Sequence, residues 1–586
     1  MNADSPFGPH FSRDGVTFRL WAPAANNVEL LADCAYAMEA GPDGWFSRAM
    51  PCLPAGTRYK YRIDGELEVP DPASHFQPQD FTGPSEIIDH EQFVWRAQGW
   101  RGRPWRDAAI LELHVGAFTP GGSFHSAIDK LDEVTDCGLT AIELMPVADF
   151  AGRRNWGYDG VLLFAPDNSY GRPEDLKALI DAAHIRGLMV FLDVVYNHFG
   201  PEGNYLPRYA PAFFTEHRHT PWGAAIDYRV PEVRAFAIQN ALHWLKYYRF
   251  DGLRLDAVHA ITEPGEPHIL HDLSRAVGQF ALAAGREIHL ILENDDNRAS
   301  LLDPHSPASH GGYRAQWNDD YHHAWHVLLT GETHGYYRDY ADNPRRHLAR
   351  TLSSGFAYQG ERSAHRGGRR RGEATDVLTP SAFIDFLQNH DQIGNRPRGD
   401  RLAAVVQPPA IEAALAVTLL APMPPMLFMG EEWGATAPFP FFCDFAGDLA
   451  EAVRKGRREE FKSAYAEMDG DIPDPLLEAT FRSAILDWQA RATPAGEQRL
   501  ALVRHLLITR KIEIVPRLSV AAFGDAHFEG DILQARWHFG AEESLFLLAN
   551  LSQGSAPRSG ALPGRLIWGA TAPPELPPWS VYWSIG

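Results

Sequence analysis

Short apolar runs recur through the middle of the chain and alternate with stretches whose apolar residues follow a helical period. The runs are rich in Leu, Ile and Phe and lack helical spacing, which is typical of strands buried on both faces. Between them, the segments that begin at Glu174 and Arg234 place apolar residues three and four positions apart, which predicts amphipathic helices. Eight candidate strands begin near Ile110, Ala141, Leu188, Gly252, Leu290, Tyr313, Phe383 and Pro425.

Eight strands that alternate with helices are the number needed to close a parallel (β/α)₈ barrel. We therefore predict an α/β fold in which this TIM barrel occupies residues 101–492. The segment from about 197 to 231 is rich in Pro, Gly and aromatic residues and has no clear helix, so it predicts a loop excursion above the barrel. Loops in this position usually shape the cleft.

The two ends of the chain have a different pattern, with short alternating segments separated by Pro and Gly turns. In residues 1–100, the segments GVTFRLWAP, VELLA and RYKYRID predict a small β-sandwich. In residues 493–586, the segments RWHFG, SLFLLANLS and SVYWSIG predict an antiparallel β-domain. The chain of 586 residues is too long for one hydrophobic core, and three domains agree with that length.

The charge of the chain restricts the class of partner. A formal net charge of −21 disfavours nonspecific binding to nucleic acid or to anionic lipid, because both polyanions would be repelled. The one dense basic run, HRGGRRRGE from His365, is short and Gly-rich, and we interpret it as a solvated loop that borders the cleft at most. A neutral or small substrate is therefore expected.

The sequence indicates a soluble protein of a reducing compartment. The segment MNADSPFGPHF lacks the basic and apolar regions of a signal peptide, and no apolar stretch reaches the ~18 residues that a membrane span requires. Cysteines 34, 52, 137 and 443 are scattered without CxxC spacing, which disfavours a disulfide framework and a zinc site. We expect a cytoplasmic location without membrane contact.

Three carboxylic acids carry the main chemical signal, because each follows one of the predicted strands. Asp256 ends the run GLRLD, Glu293 ends HLILE, and Asp391 follows FIDFLQNH. A single acid after a strand is as often a helix cap or a turn residue. The carboxyl ends of all barrel strands meet at one face, however, so three such acids predict one shared pocket.

The regions around these acids resemble four ordered sequence regions of the α-amylase superfamily of glycoside hydrolases, family 13. They are DVVYNH, GLRLDAVH, LILEND and QNHDQIGN, and they follow the third, fourth, fifth and seventh predicted strands. Further segments are similar to the maltooligosyltrehalose trehalohydrolase branch, in which an isoamylase-like, starch-binding β-sandwich precedes the barrel. These segments are RNWGYDGV, YNHFGPEGNYL, TPWGAAIDY, GLRLDAVHAI, QWNDDYHHAWH and FAYQGE.

The resemblance implies a retaining α-glycosidase that cleaves the α-1,4 bond next to the terminal trehalose of maltooligosyl trehalose. Trehalose and a maltooligosaccharide would be released, as a step of trehalose biosynthesis from α-glucans. Asp256 would be the nucleophile, Glu293 the general acid/base, and Asp391 the acid that holds sugar hydroxyls. The implied functional partner is maltooligosyltrehalose synthase, no cofactor is implied, and monomer and dimer both remain open.

The same resemblance assigns supporting roles. Arg254 would keep Asp256 ionised and oriented, whereas Glu293 would need surroundings that retain its proton. Asp193 and Asn197 are expected to orient these groups rather than to contact sugar. The expected substrate-binding residues are Tyr158, His198, Arg254, His259, Trp317, Asp319, Asp320 and His390, of which Trp317, Asp319 and Asp320 would lie on the trehalose side.

Several alternatives compete with parts of this interpretation. His322 and His326, four residues apart and close to Asp319 and Asp320, could form a metal site. In some α-amylases, the asparagine that corresponds to Asn197 is a calcium ligand. Asp319 or Asp320 could equally be a helix cap. Asp295 and Asp296 would raise the pKa of Glu293 if they faced inward.

Three other functions share the predicted fold. A branching or debranching α-glucan enzyme has the same domain order and the same three acids. A noncatalytic glucan-binding protein would normally lack one of the acids, and the trehalose-forming synthase branch is usually longer and lacks the QWNDDYHH and TPWG segments. Product identity separates these functions from trehalose release.

Overall fold

The computed structural model describes residues 6–12, 15–51, 53–220, 223–261, 268–306, 312–464 and 472–586. Cys52 and the Pro221–Trp222 part of the TPWGAAIDY segment lie outside the described residues. Within the described part of the chain, none of the helices has the length and apolar character needed to cross a membrane.

Eight parallel strands close a barrel in the centre of the molecule, so the predicted fold is confirmed. The last strand pairs with the first through Ile110 and Met426, which closes the cylinder. Nearly every strand residue is buried, because helices cover the outside and side chains fill the inside, and this double burial explains the continuous apolar runs in the sequence. In order, the strands are Ile110–Leu113, Ala141–Leu144, Met189–Val194, Gly252–Leu255, His289–Leu292, Tyr313–Trp317, Phe383–Phe386 and Pro425–Phe428.

The inside of the barrel is a packed apolar cluster with a polar layer above it. Its buried members include Ile110, Ala141, Met189, Phe191, Ile291, Ala315, Trp317, Ile384, Phe386 and Met426. Along a strand, every second residue points to the same side, so the residue two positions after an inward-facing residue also faces inward. Glu112, Glu143 and Asp193 occupy these positions after Ile110, Ala141 and Phe191, so the upper layer is acidic.

Helices surround the barrel and connect its strands. Side chains cap the start of some of these helices, as where Thr493 accepts from the amide of Gly496 and Asn343 from that of Arg346. The α-helices are Val115–Phe118, Phe124–Ile128, Leu131–Cys137, Pro173–Ile185, Leu206–Tyr209, Pro231–Tyr247, Ile269–Ala284, Asp319–Thr330, Pro344–Ser354, His390–Gly394, Leu402–Val405, Pro408–Leu420, Gly447–Ala464, Glu478–Ala484 and Pro494–Thr509.

Two antiparallel sheets form a sandwich at the amino-terminal side. Their inner faces meet in one core, where the rings of Phe18 and Tyr59 lie 4.8 Å apart. The first sheet contains His10–Ser12, Gly15–Trp21, Trp45–Met50 and Glu39–Ala40. The second contains Ala35–Ala37, Val28–Leu31, Arg58–Ile63 and Leu67–Val69, and Ser85–Glu86 pairs with its third strand.

A five-stranded antiparallel sheet forms the carboxy-terminal side. It is fixed to barrel helices by two buried indoles, since Trp537 donates to the carbonyl of Leu352 and Trp583 to that of Ala416. The residues before it, 494–520, are helical. In order across the sheet, its strands are Ala521–Glu529, Ile532–Phe539, Glu543–Asn550, Ser580–Ile585 and Arg565–Trp568. A separate pair joins Ala556–Pro557 to Glu575–Leu576.

The segment after the third barrel strand extends away from the barrel before the long helix Pro231–Tyr247 begins. It contains the short helix Leu206–Tyr209 and a hairpin of Phe214–Thr220 with Gly223–Ile226. Its backbone passes close to the loop after the second strand, because a Cβ at Gly200 would lie 2.0 Å from the carbonyl oxygen of Asp159. Only glycine can occupy this crossing.

Candidate active site

Two of the three predicted acids are connected, because the backbone directly after Asp256 bonds to the side chain of Glu293. Asp256 follows the fourth barrel strand, and the amide of the next residue, Ala257, donates to Oε2 of Glu293 at 2.6 Å. Ala257 has a left-handed conformation, with φ of 40° and ψ of 49°. A non-glycine residue in this region stores strain, and such strain concentrates at functional sites. The turn thus fixes the two carboxyl groups beside each other.

Arg254 connects the acids of the third and fourth strands. Its Nη1 donates to Oδ1 of Asp256 at 2.8 Å and to Oδ2 of Asp193 at 2.7 Å, while the hydroxyl of Tyr158 donates to the same Asp193 oxygen at 2.6 Å. Burial disfavours the guanidinium charge, but Asp193, Tyr158 and Asp256 together raise the pKa of Arg254 well above its ordinary value. Asp256 therefore faces a permanent positive charge.

The motif after the third strand contacts the same carboxylate. Nδ2 of Asn197 donates to Oδ2 of Asp256 at 2.9 Å and to its backbone carbonyl at 3.0 Å. His198 contacts the side chain of Asn197 through Nδ1, and its Nε2 lies 2.8 Å from the carbonyl of Tyr158. Both oxygens of Asp256 are thus held by donors, which fixes the direction of its lone pairs.

Glu293 has the surroundings of an acid that keeps its proton. Burial raises its pKa, and Asp256 and Asp391 raise it further, against the lowering effect of Arg254 and His259. His259 is half-buried nearby, and its Nδ1 accepts from the amide of Asp295 at 3.2 Å. Glu293 therefore keeps its proton more readily than an ordinary glutamate, as a general acid must.

The basic run after residue 364 is not only a solvated loop, which corrects the sequence-based interpretation. Arg366 pairs with Asp295 and donates to Oδ1 of Asp296 at 2.5 Å. Arg371 is buried and donates to the carbonyl of Asp295 at 2.8 Å. Although burial raises the pKa of Asp295, the two arginines lower it overall. Asp295 and Asp296 are thus neutralised by arginines.

Asp391 and His390 begin a short helix after the seventh strand. Asn389 caps this helix, because its Oδ1 accepts from the amides of Asp391 at 3.0 Å and Gln392 at 3.2 Å. Asp391 is exposed and accepts from Nδ2 of Asn395 at 2.8 Å, so its carboxylate is open to solvent. This placement suits contact with a ligand more than a role in the core.

His390 is buried between an acid and an aromatic ring. Its Nδ1 contacts Glu112 of the first strand, and its amide donates to Oε2 of the same side chain at 3.1 Å. The ring of Tyr158 stacks on the imidazole at 5.1 Å. Burial opposes protonation, yet Glu112 and Asp391 raise the pKa of His390. Glu112 was not among the residues singled out from the sequence.

Two expected substrate contacts are corrected by their burial. Trp317 is 1% exposed and lies in the barrel interior, where its ring is 4.0 Å below the guanidinium of Arg254. Asp320 is 0% exposed and accepts from the amides of Ala357 at 2.7 Å and Tyr358 at 2.9 Å. Neither side chain reaches the cleft; Trp317 supports the arginine from below, and Asp320 fixes the loop before the basic run.

Asp319 has a different environment from its neighbour. It is only partly buried, and Nε2 of Gln392 donates to its Oδ1 at 3.1 Å. Burial raises its pKa well above the ordinary value, with further contributions from Glu293 and Asp295. Asp319 follows the sixth strand, and its partner Gln392 follows the seventh. Asp319 thus lies beside the three acids, where these two strands end.

The histidines of the sixth-strand helix are used in internal hydrogen bonds. Nδ1 of His322 lies 2.6 Å from the carbonyl of Leu387, and its Nε2 lies 3.0 Å from the hydroxyl of Tyr337. Nε2 of His326 pairs with Glu332 at 2.8 Å. Both nitrogens of His322 are thus engaged in hydrogen bonds within the protein, which disfavours the alternative of a metal ion shared with His326.

The first two strands add acids that are not among the predicted site residues. Glu112 and Glu143 lie opposite each other on paired strands, inside apolar runs that predict core residues. Burial raises the pKa of Glu143 well above its ordinary value, and neither of its carboxyl oxygens has a hydrogen-bond partner in the protein. An acid in the middle of an otherwise apolar strand is the signal that could have identified both.

Comparisons with known proteins agree with this architecture. Residues 6–74 match the model of carbohydrate-binding module 48, the isoamylase N-terminal domain, and residues 96–222 match the alpha amylase catalytic domain. Residues 521–583 match a domain of unknown function, DUF3459. A crystal structure of a protein of the alpha amylase type from Salmonella typhimurium is 42% identical and superposes with a TM-score of 0.94 over 100% of both chains.

Relatives that match most of this chain indicate its family within that class of fold. Malto-oligosyltrehalose trehalohydrolase of Deinococcus radiodurans is 41% identical over 92% of this chain and 88% of its own length. The enzyme of that name from Saccharolobus solfataricus is 40% identical over 86% and 87%. A 1,4-alpha-glucan branching enzyme of Pseudoalteromonas atlantica matches only 41% of this chain, at 33% identity.

The barrel, its strand-end acids and the flanking sheets define a glycoside hydrolase of the α-amylase class. Within that class, the chain belongs to the malto-oligosyltrehalose trehalohydrolase family, and the resemblance seen in the sequence motifs is confirmed.

Proposed function

We propose that the protein cleaves the α-1,4-glucosidic bond next to the terminal trehalose of maltooligosyl trehalose and releases trehalose. The observation that carries this proposal is the full-length similarity to enzymes named malto-oligosyltrehalose trehalohydrolase, together with the presence of Asp256, Glu293 and Asp391 at one face of the barrel. The other product is a maltooligosaccharide.

In the proposed first step, a carboxylate oxygen of Asp256 attacks the anomeric carbon of the glucose beside the trehalose unit. Glu293 gives its proton to the glycosidic oxygen as that bond breaks, and trehalose leaves with a free hydroxyl. The contacts of Asp256 with Arg254 and Asn197 support this role, because they hold both of its oxygens in place beside a permanent positive charge. The raised pKa of Glu293 supports the acid role.

In the proposed second step, water attacks the glycosyl-enzyme ester. Glu293, now a carboxylate, accepts a proton from that water, and the carboxylate of Asp256 is released with net retention of configuration. Both steps pass through an oxocarbenium-like transition state, whose positive charge the Asp256 side chain stabilises. No cofactor is required by this chemistry.

The remaining polar groups fit sugar recognition on opposite sides of the bond. Tyr158, stacked on His390, offers a ring for the sugar that becomes attached to Asp256, and His390 and His198 adjoin the same place. Asp391 would bind hydroxyls of that sugar. Asp319 and His259, near the ends of the sixth and fourth strands, would face the departing trehalose.

The pathway context is also part of the proposal. A trehalose-ended maltooligosaccharide has to be made from an α-glucan by an enzyme that isomerises its terminal linkage, and maltooligosyltrehalose synthase is that functional partner. Its product is the substrate proposed here, so the two enzymes together would convert α-glucan to trehalose.

Product analysis tests the proposal directly. Purified protein is incubated with maltotriosyl trehalose, maltopentaose and amylopectin in parallel, and the products are separated by chromatography. We expect trehalose plus maltotriose from the first substrate and little action on the others. New or removed branches in amylopectin would instead favour a branching or debranching enzyme, and no product from any substrate would favour a noncatalytic glucan-binding protein.

A further inference from the structure

Three buried histidines meet where the amino-terminal part of the chain packs on the barrel. His75 and His90 lie on either side of the strand Ser85–Glu86, which pairs with the second sandwich sheet, and His243 lies on the helix Pro231–Tyr247. Their exposed fractions are 5%, 8% and 4%. The cluster is remote in sequence from the strand-end acids and takes no part in the proposed reaction.

The ring nitrogens of the cluster are spaced as ligands of one metal ion are. One nitrogen of each histidine lies within 4.8 Å of one nitrogen of each of the others. Nδ1 of His75 and Nε2 of His90 are 3.2 Å apart. Two nitrogens that share a tetrahedral zinc ion at bonds of about 2.0–2.1 Å are separated by roughly 3.3 Å. The observed distance therefore fits shared coordination as well as a hydrogen bond.

His243 has the hydrogen bonding of a metal ligand. Its ring bonds to the backbone of Phe164, whereas its Nε2 has no partner in the protein. The bond to Phe164 thus uses Nδ1, which leaves Nε2 as a buried bare lone pair. Metal-binding histidines commonly donate the other ring N–H to a backbone carbonyl, which fixes the tautomer in this way.

A second nitrogen of the cluster lacks a partner as well, since Nδ1 of His90 is buried without a hydrogen bond in the protein. A buried acceptor without a partner is unfavourable unless a ligand satisfies it, and an ion would satisfy Nε2 of His243. Nδ1 of His90 would instead carry the proton of that ring while its Nε2 binds the ion. We propose that His75, His90 and His243 form a binding site for one divalent transition-metal ion with a preference for nitrogen ligands, Zn²⁺ being the best fit.

The protonation states of the three imidazoles agree with metal binding. Burial lowers the pKa of His75 to about 3 and the pKa values of His90 and His243 well below their ordinary range. Neutral imidazole is the form that binds metals. To bind through the two facing nitrogens, one of His75 and His90 moves its proton to its other ring nitrogen, so this rearrangement releases no proton.

One charge opposes the ion, because the buried ammonium of Lys177 donates to the carbonyl of His90 at 3.0 Å. Rings pack around the cluster on the other side, with Tyr247 stacked on His90 at 4.4 Å. Because of the charge of Lys177, the affinity for the metal ion would be lower than that of a site with thiolate ligands. Three neutral nitrogens still select zinc, copper or cobalt over magnesium and calcium. The ion would tie the residues on either side of Ser85–Glu86 to the helix Pro231–Tyr247.

Metal titration of the untagged full-length protein tests the site, because a polyhistidine tag would itself bind the ion. The protein is stripped with a chelator, desalted and titrated with Co²⁺ as the spectroscopic probe and then with Zn²⁺. We expect one equivalent of Co²⁺ to give the visible absorption of a four- or five-coordinate nitrogen site, and Zn²⁺ to displace it. X-ray absorption of the zinc form should require three imidazole scatterers.

Two variants separate this cluster from other histidines. His243→Gln should weaken Co²⁺ binding by more than the roughly 10- to 100-fold that loss of a hydrogen-bond partner behind a ligand causes. His527→Gln, which changes a half-exposed histidine beside Asp525 and Glu529, should leave binding unchanged. Absence of a stoichiometric Co²⁺ spectrum in the wild-type protein, or full binding in a folded His243→Gln variant, would overturn the proposal. If that variant does not fold, the wild-type spectra alone decide.

Discussion

At the residue scale, the state of Glu293 leads to the first prediction. Its pKa is raised by burial and by Asp256 and Asp391, so the protonated acid persists to higher pH than in an ordinary glutamate. Because the first step needs that proton, kcat/KM should fall as the pH rises through this pKa. Glu293→Gln should lower kcat by ~10²–10⁴-fold and abolish this alkaline limb, as measured by initial rates across pH.

The matched control for this change is Glu39→Gln, an exposed glutamate of the amino-terminal sheet that should alter neither rate nor pH profile. Both variants should keep the circular dichroism spectrum of the parent. A Glu293→Gln protein with the parental rate and the parental alkaline limb would remove Glu293 from the acid role.

The pair of Glu112 and His390 leads to the second prediction. Glu112 raises the pKa of His390, so Glu112→Gln should lower it and leave the imidazole neutral at a pH where it is now charged. Sugar binding should then weaken by about tenfold or more, since a hydrogen bond from a charged group contributes ~1.5–3 kcal/mol. KM should rise more than kcat falls, and the gap should narrow at acidic pH, where His390 is protonated in both proteins.

The adjacent strand supplies a control for Glu112. Glu143 is also buried in the barrel, and burial raises its pKa well above the ordinary value, so Glu143→Gln replaces a carboxyl that favours its uncharged form by an amide of the same shape. We expect its kinetic constants to stay within about twofold of the parent, as is usual for a substitution that removes no charge and no cavity-filling volume. Equal effects of the two substitutions would rule out the specific role of Glu112.

At the element scale, the sequence was sufficient where one pattern determines one structure. Doubly buried strands have unbroken apolar runs, so all eight barrel strands and the acids at their ends could be located from residues alone. Contacts that depend on which side chains meet across the barrel could not. No local pattern encodes contacts between segments that are far apart in the chain. Examples are the bond from the amide of Ala257 to Glu293, the approach of Glu112 to His390 and the pairing of Arg366 with Asp295.

Adjacent residues of one helix lead to the third prediction. Asp320 pairs with buried Arg371 at 2.7 Å and accepts two backbone amides. Asp320→Ala should therefore lower the free energy of unfolding by ~3–5 kcal/mol, because it removes one partner of a buried ion pair and leaves two buried amides without their acceptor. Asp319→Ala removes an acid whose burial is unfavourable and should leave stability within about 1 kcal/mol. Urea denaturation followed by fluorescence measures both.

The substitution that costs little stability, Asp319→Ala, should have the larger effect on KM. The substitution that costs much stability, Asp320→Ala, should have the smaller one. Asp319→Ala should raise KM for maltotriosyl trehalose while the folded Asp320→Ala protein, assayed well below its melting temperature, keeps a KM closer to the parent. Equal stability losses at both positions would contradict the internal role of Asp320, and an unchanged KM in Asp319→Ala would remove Asp319 from trehalose recognition.

At the scale of the whole molecule, the sandwich and the barrel share one apolar interface rather than a hinge. Phe7 of the amino-terminal segment meets Phe236 of the barrel helix at 5.1 Å, and Trp21 meets Phe213 of the excursion at 5.5 Å. The backbone of Ala24 donates to the carbonyl of Tyr209 at 3.0 Å. The excursion that borders the cleft is therefore supported from outside by the sandwich, which couples that sheet to the site.

This coupling leads to the last prediction, because parts that share a core unfold together. Phe236 also contacts Phe164 at 5.0 Å, so Phe236→Ala leaves a cavity between barrel and sandwich and should lower stability by ~3–5 kcal/mol. Hydrogen exchange by mass spectrometry should then show equal losses of protection in strands Gly15–Trp21 and Gly252–Leu255. Leu282→Ala, at a side chain 86% exposed, should change neither. Loss confined to one of the two strands would mean that sandwich and barrel unfold independently, and the support of the cleft by the sandwich would then have to be abandoned.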